Sequence, residues 1–153
     1  MNEEINNYFK GSKILVVGGT GFIGRNIVES LKDNADHIYA MHLSNSEFPF
    51  DHPNISNILH DLSSETGTKK IIRKIAPDYV FNVSGYINHS PFFKQGFDVI
   101  KNQYFTTLNL INALNEINIE RYVHTGSSDE YGNLTSPQLE SLRESPQTPY
   151  SAS

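Results

Sequence analysis

The chain contains no cysteine, which removes disulfides, thiolate-bound zinc, iron–sulfur clusters and thiol catalysis together and is compatible with a cytoplasmic protein. It also lacks an excess of positive charge. With 12 basic against 17 acidic side chains the formal charge is -5, so there is no broad positive field to hold nucleic acid or anionic lipid, and neither a nucleic acid nor a membrane is expected as a partner. A long apolar run is missing too: the chain opens on the acidic Met1-Asn2-Glu3-Glu4, and its densest early apolar run is Ile14-Leu15-Val16-Val17, far short of a signal sequence or a membrane span. The six histidines are scattered without HxxxH spacing, so no metal site is expected. What is present is 153 residues, 37% hydrophobic and 19% charged. That fits one soluble domain with a packed core, at the usual ~100–200 residues per domain.

Residues 1–12 form a polar N-terminal extension, and residues 13–153 read as a single domain. Lys13-Ile14-Leu15-Val16-Val17 is a β-branched apolar run that stops at Gly18-Gly19, as a strand buried on both faces does. From Gly21 the period changes: Phe22, Ile23, Ile27, Val28 and Leu31 recur at helical spacing. His37 to Met41 gives a second strand, Ser44 to Asn54 a loop, and Ile55 to Leu59 a third strand. Ser63 to Ile75 is a helix that Pro77 ends, and Tyr79 to Val83 is a fourth strand. Asp98 to Asn115 carries the longest helical period, and Arg121 to Thr125 is a fifth strand. From Gly126 onward the chain reads as loop, with no further element completed. Strands alternating with helices in this way predict an α/β fold, a doubly wound parallel sheet with helices on both faces.

Gly18-Gly19-Thr20-Gly21-Phe22-Ile23-Gly24 lies between the first strand and first helix, where a backbone that turns tightly can approach a pyrophosphate. Side chains on Gly18 or Gly21 would obstruct the turn or that approach, and Gly24 is expected to let the helix lie against the sheet. The N–H groups of the helix start then face the phosphates. No GK[ST] follows, so the turn is not a P-loop. An ordinary strand-to-helix turn is the alternative. The spacing of Gly18, Gly21 and Gly24, with Thr20 and Phe22-Ile23 between, resembles the extended short-chain dehydrogenase/reductase family, the NAD-dependent epimerase/dehydratases of nucleotide sugars, and implies a Rossmann-type fold.

The resemblance implies roles further along. His60-Asp61-Leu62 looks like the pair, Asp61 and Leu62, that holds the adenine; a cap on the Ser63 to Ile75 helix is the competing role for Asp61. Val83, Ser84 and Gly85 match the end of the fourth strand, where small residues let the backbone reach the nicotinamide ribose. Asn102 matches an asparagine of the long helix near the cofactor, with a solvated helix position as the alternative. One position departs. Where the end of the second strand would carry an acid for the 2′-hydroxyl of NAD, this chain has Met41-His42-Leu43-Ser44. With no arginine there either, the cofactor is left as NAD or NADP, leaning to NADP with Arg25 and His42 as its phosphate contacts.

Thr125-Gly126-Ser127-Ser128-Asp129-Glu130-Tyr131-Gly132 follows the fifth strand, and Tyr150 stands 22 residues after Ser128. By resemblance these are the Ser and Tyr of a catalytic triad. Tyrosine can act as a base at a sugar hydroxyl only if its pKa is brought down from about 10, which the family's lysine four residues later does. Asp129 and Glu130 resemble the acid and base of the 4,6-dehydratases, while Gly-Ser-Ser-x-Glu-Tyr-Gly is equally similar to epimerases and 4-keto-reductases; a solvated acidic loop is the alternative for Asp129. Tyr131 is expected to pack, and His124 to be a satisfied interior histidine. The lysine would come immediately after Ser153, and family chains run to about twice this length. The 153-residue chain alone is therefore expected to bind dinucleotide weakly and to be inactive. The family further implies a nucleotide-diphosphate sugar substrate, oxidation at sugar C4, and a homodimer of the full-length protein through the long helix. A noncatalytic dinucleotide-binding regulator is the reading from another class.

Overall fold

A computed structural model describes residues 8–43, 48–85 and 87–153. The Ser44 to Asn54 loop expected from the sequence therefore lies partly outside the described residues. The chain groups into two compact units, one of residues 1–84 and 109–124, the other of 85–108 and 125–153. The unbroken strand–helix alternation does not announce this grouping.

Among the described residues the first unit holds five strands: β1 (Lys13–Val17), β2 (His37–His42), β3 (Ile55–Leu59), β4 (Tyr79–Asn82) and β5 (Arg121–His124). All neighbouring pairs are parallel, in the order β3-β2-β1-β4-β5. Among the described residues, α1 (Phe22–Leu31) and α2 (Glu65–Ile75) precede the long helical stretch. The central strand β1 is buried from Ile14 to Val17, and its side chains divide by parity. Ile14 and Val16 join Ile38, Ala40, Val28 and Leu31 on the α1 face. Leu15 and Val17 join Met41, Val80, Ile72, Ile75 and Leu110 on the other. Each valine, leucine, isoleucine or methionine among them, fully removed from water, contributes about 1.5–3 kcal/mol. Those two layers hold the strand ends, and hence the loops that follow them, in place.

Helix α2 shows how local sequence sets an element. Ser64 Oγ accepts from Gly67 N at 3.3 Å at its start, so Ser64 is the N-cap and not Asp61, and the helix opens two residues later than the apolar period suggests. Thr68, Ile72 and Ile75 form the buried stripe. It ends at Ala76, left-handed at φ 43° with its N–H on Ile72 O, one residue before Pro77. At the sheet edge, β5 is largely exposed. His124 is correspondingly an exposed edge residue and not the interior one expected, although it is hydrogen-bonded.

The second unit begins the long helical stretch at Gly96, earlier than Asp98. It runs through α3 (Gly96–Ile100), a π-helical turn (Lys101–Phe105) and the start of α4 (Thr106–Leu114), whose later residues belong to the first unit. Thr106 Oγ1 donates to Asn102 O at 2.8 Å and Gln103 O at 3.0 Å beside the widened turn. The region after Gly126, expected to be loop, contains a 3₁₀ turn (Ser128–Tyr131) and a short helix, α5 (Pro149–Ala152).

Candidate functional site

In the first unit the turn after β1 is held by two donors on one acceptor. Gly18 N and Gly19 N both reach Met41 O, at 2.9 and 3.0 Å, and Gly21 N closes onto Gly18 O at 3.0 Å. Gly18 sits at φ +80°, and a Cβ there would stand 2.9 Å from Ser84 Cα and N. The end of β1 thus lies directly on the end of β4. This is the point where the strand order reverses, the place at which open α/β sheets bind ligands. A Cβ on Gly24 would run into Gly18 O, so its lack of a side chain lets α1 start hard against the turn that leaves β1. Gly19, not singled out in the sequence, is equally constrained: its Cβ would meet Ala40 at 2.9 Å.

Gly21 is the N-cap of α1 and has no side chain to offer the first N–H groups of the helix. Phe22 and Ile23 are exposed at 88% and 52%, and Arg25 is exposed one position after Gly24. A bare helix start, a turn free of Cβ atoms and a strand reversal together suit a pyrophosphate and its ribose groups. The residues present therefore fit a dinucleotide.

Around this cradle the other strand ends converge. His42 closes β2, 7% exposed, with Nε2 at 2.5 Å from Asn57 Oδ1 on β3, while its Nδ1 is buried without a hydrogen-bond partner among the described residues. His60 N donates to His42 O at 3.0 Å. Asp61 Oδ1 accepts from Ser63 N at 2.8 Å, and the Leu62 carbonyl accepts from Asn109 Nδ2 at 2.9 Å, with Leu62 itself buried. Burial holds the His60 imidazole below its ordinary pKa, against a smaller opposing pull from Asp61.

A polar network at the ends of β4 and β5 was not foreseen. Buried Asn82 accepts from Ser84 Oγ at 2.7 Å and donates to Tyr122 Oη at 3.2 Å and His124 Nδ1 at 3.1 Å. Burial raises the Tyr122 phenol pKa, partly offset by the bond from Asn82. The register pairs Val80 with Tyr122 and Asn82 with His124. The network is legible only once β4 and β5 are known to be neighbours.

Most of the remaining expected residues lie in the second unit. Val83 and Ser84 belong to the first, whereas Gly85 and Asn102 belong to the second, both exposed. A Cβ on Gly85 would have Gln103 Oε1 at 3.9 Å as its nearest neighbour, so packing does not demand glycine there. Ser127 caps the 3₁₀ turn through a reciprocal pair: its Oγ accepts from Asp129 N at 3.2 Å, and Glu130 Oε1 accepts from Ser127 N at 2.8 Å. Glu130 is thereby occupied in holding the loop that presents Ser128. Asp129 Oδ2 stands 3.4 Å from His89 Nδ1, and the His89 ring meets Tyr150 edge to face at 4.8 Å. Tyr150 follows Pro149 at the start of α5, where Thr148 Oγ1 accepts from Ser151 N at 3.1 Å. The 3₁₀ turn packs against α5, and a Cβ on Gly96 would meet Pro149 Cγ at 2.8 Å. Gly96 and His89 thus seat the tyrosine, and neither belonged to a motif the sequence offered.

Comparison with known proteins gives a consistent picture. The model of the NAD dependent epimerase/dehydratase family matches residues 14–153. A curated Methanocaldococcus jannaschii protein, described as an uncharacterized membrane protein, is 29% identical over 85% of this chain and 40% of its own length. The dTDP-D-glucose 4,6-dehydratase of Mus musculus is 24% identical over 92% of this chain and 42% of its own. Among solved structures, the UDP-N-acetylglucosamine 4-epimerase of Methanobrevibacter ruminantium is 29% identical at a TM-score of 0.80, covering 94% of this chain and 47% of that one. The Bordetella bronchiseptica enzyme WbmG in complex with NAD has the same fold at 16% identity and a TM-score of 0.83, covering 95% of this chain and 47% of its own. The chain spans less than half the length of these relatives. Among the described residues no helix is long and apolar enough to cross a membrane.

Proposed function

Because this chain belongs to the NAD dependent epimerase/dehydratase family, we propose that it is the cofactor-binding part of a nucleotide-sugar 4-epimerase, working through transient oxidation at sugar C4. The observation that carries the reading is the glycine cradle at the strand reversal, with Gly18 against Ser84 and the uncapped start of α1 beside it. Within the first unit, Gly18, Gly21, Phe22, Ile23 and Gly24 would receive the pyrophosphate, Asp61 and Leu62 the adenine, and Val83 and Ser84 the nicotinamide side. When bound, the nicotinamide supplies a hydride acceptor and returns the hydride to either face of the sugar.

Tyr150 would take the proton from the sugar hydroxyl and give it back, and Ser128 would orient that oxygen. The capped 3₁₀ turn fixes Ser128, while Thr148, Gly96 and His89 fix Tyr150. Epimerisation is favoured over 4,6-dehydration by one observation. Dehydration needs an acid–base pair after the serine aimed at the sugar, and Glu130 turns its Oε1 back to Ser127 N. The exposed Phe97, Tyr104 and Phe105 offer an apolar face for a homodimer of the whole protein.

The test is the protein in its full gene-encoded length, incubated with NAD and a panel of UDP- and dTDP-hexoses and read by NMR for C4 inversion. Inversion lost in Tyr150→Phe with NAD affinity kept supports the reading. A 4-keto-6-deoxy product would replace it with the dehydratase, and no turnover of any sugar, with dinucleotide still bound, with the noncatalytic regulator.

A further inference from the structure

The polar network at the ends of β4 and β5 meets the glycine cradle at one residue, Ser84, and solvent at another, His124. Resting on the dinucleotide reading above, we propose that Asn82 is a positioning residue that holds Ser84 in the cradle only while His124 is uncharged, so that proton uptake at His124 weakens dinucleotide binding.

A main-chain donor sets the orientation of the Asn82 amide. Ser84 N reaches Oδ1 at 3.3 Å and Ser84 Oγ reaches it at 2.7 Å, so the oxygen faces Ser84. Nδ2 then faces Tyr122 Oη at 3.2 Å and His124 Nδ1 at 3.1 Å. An amide nitrogen only donates, so Nδ1 carries a lone pair and the proton of the neutral imidazole sits on Nε2. Tyr122 Oη stands 3.1 Å from that Nδ1 and donates to it as well. Asn82 is 1% exposed, whereas His124 is exposed on the edge strand. Protons therefore reach the network at its His124 end. At the other end, Val83 N donates to Val17 O at 3.0 Å, and beyond this bond Asn82 holds Ser84 N, the atom that a Cβ on Gly18 would approach to 2.9 Å.

A second proton on the His124 ring turns Nδ1 into a donor and sets it against Asn82 Nδ2. A buried donor without an acceptor is unfavourable, and turning the Asn82 amide over relieves the conflict, because Oδ1 then accepts from Nδ1. The turn brings Nδ2 to Ser84. Ser84 Oγ can accept from it, but Ser84 N cannot and loses its acceptor. Among the described residues the titratable group beside His124 is the Tyr122 phenol, whose pKa burial raises. Tyr79 and Arg121 pair with each other at the opposite ends of β4 and β5. Of the helices packed on this side of the sheet, α4 carries no titratable side chain. The charged groups of α2 are Glu65, Lys69, Lys70, Arg73 and Lys74, and their ion pairs run to one another and to Glu116.

Calorimetric titration of NAD into the chain at about pH 8 and about pH 5.5, on either side of the range in which histidines change charge, tests the assignment. NAD should bind about 3- to 10-fold more weakly at the lower pH, the size of one hydrogen bond. In 15N spectra of the ligand-free chain, the Ser84 amide and the Asn82 side-chain amide should titrate with the same midpoint as the His124 ring. His124→Gln keeps an acceptor beside Asn82 and removes the titrating group, so the decline in affinity should be lost while the other histidines remain. Asn82→Asp places a carboxylate that accepts from Ser84 and also pairs with the charged imidazole, so NAD should bind at least as well at the lower pH as at the higher; thermal melts check that both variants fold. The inference is overturned, and the dinucleotide reading left intact, by equal NAD affinity of the unaltered chain at the two pH values, by a decline that survives in His124→Gln, or by Ser84 and Asn82 resonances that stay in place while His124 titrates. Saturable binding at neither pH overturns both.

Discussion

Replacing Gly18 by alanine tests the geometry on which the cradle depends, and Gly11 supplies its control. Both glycines are left-handed, at φ +80° and +78°. A Cβ on Gly11 meets nothing within 4 Å, whereas one on Gly18 stands 2.9 Å from the Ser84 backbone and 3.1 Å from the Val83 carbonyl carbon. The left-handed backbone costs an alanine roughly 1–2 kcal/mol, and the lost freedom of the unfolded chain returns roughly 0.4–1. Gly11→Ala should therefore destabilise by about 1 kcal/mol. Gly18→Ala adds an overpacking cost of roughly 1–3 kcal/mol, because the opposing atoms are main chain and cannot rotate away, for a total of about 2–4. Against a typical ~5–15 kcal/mol of stability this is a large fraction. Urea denaturation of the two variants at equal m-value measures the difference directly. If Gly18→Ala costs no more than Gly11→Ala, the contact between the β1 turn and the end of β4 is not as close as described, and the pyrophosphate cradle built on it falls.

Ala76→Gly should stabilise the chain by about 0.5–1 kcal/mol, since Ala76 occupies the left-handed C-cap position at φ 43° that glycine fills without strain; a lower urea midpoint would refute the capping geometry. His60 gives a pH dependence with a definite sign. Burial lowers its pKa in the folded chain, so the unfolded state takes the proton first; the stability it contributes is present above about pH 6.5 and is lost as pH falls below that value towards the lowered folded one. Melting temperatures measured from about pH 7.5 down to 5 should decline less steeply in His60→Gln, and parallel curves would show that His60 is not the group responsible. Tyr150→Phe should leave NAD affinity within about twofold of the unaltered chain, because aromatic packing against His89 survives the loss of the hydroxyl; a larger loss would place the phenol oxygen in cofactor binding instead.

The strands and the glycine turn were legible because their signals are local. An apolar run of four ended by glycine, or a buried stripe at helical spacing, states its own structure. What escaped the sequence depends on contacts distant along the chain. Glu130 reads as an acid beside a catalytic serine until the turn folds and its oxygen meets Ser127 N, three residues back. Gly96 reads as an ordinary residue before a helix until Pro149 packs on it. His124 reads as interior because strands with apolar neighbours usually are, and is exposed because β5 lies at the sheet edge. The π-helical turn at Lys101–Phe105 leaves the apolar period of the long helix nearly intact, and so leaves no trace in it. His42 was visible as a departure from the expected acid, but its contact with Asn57 in another strand was not.

The central claim is that the turn from Gly18 to Gly24 cradles a dinucleotide pyrophosphate. Titrating NAD into the 15N-labelled chain and following the backbone amides tests it most directly. The account predicts saturable shifts concentrated at Gly18, Gly19, Gly21, Phe22, Ile23 and Gly24, with smaller ones at His42, Leu62 and Ser84. Saturable binding that leaves those glycine amides unmoved, or no binding at millimolar NAD, would contradict it.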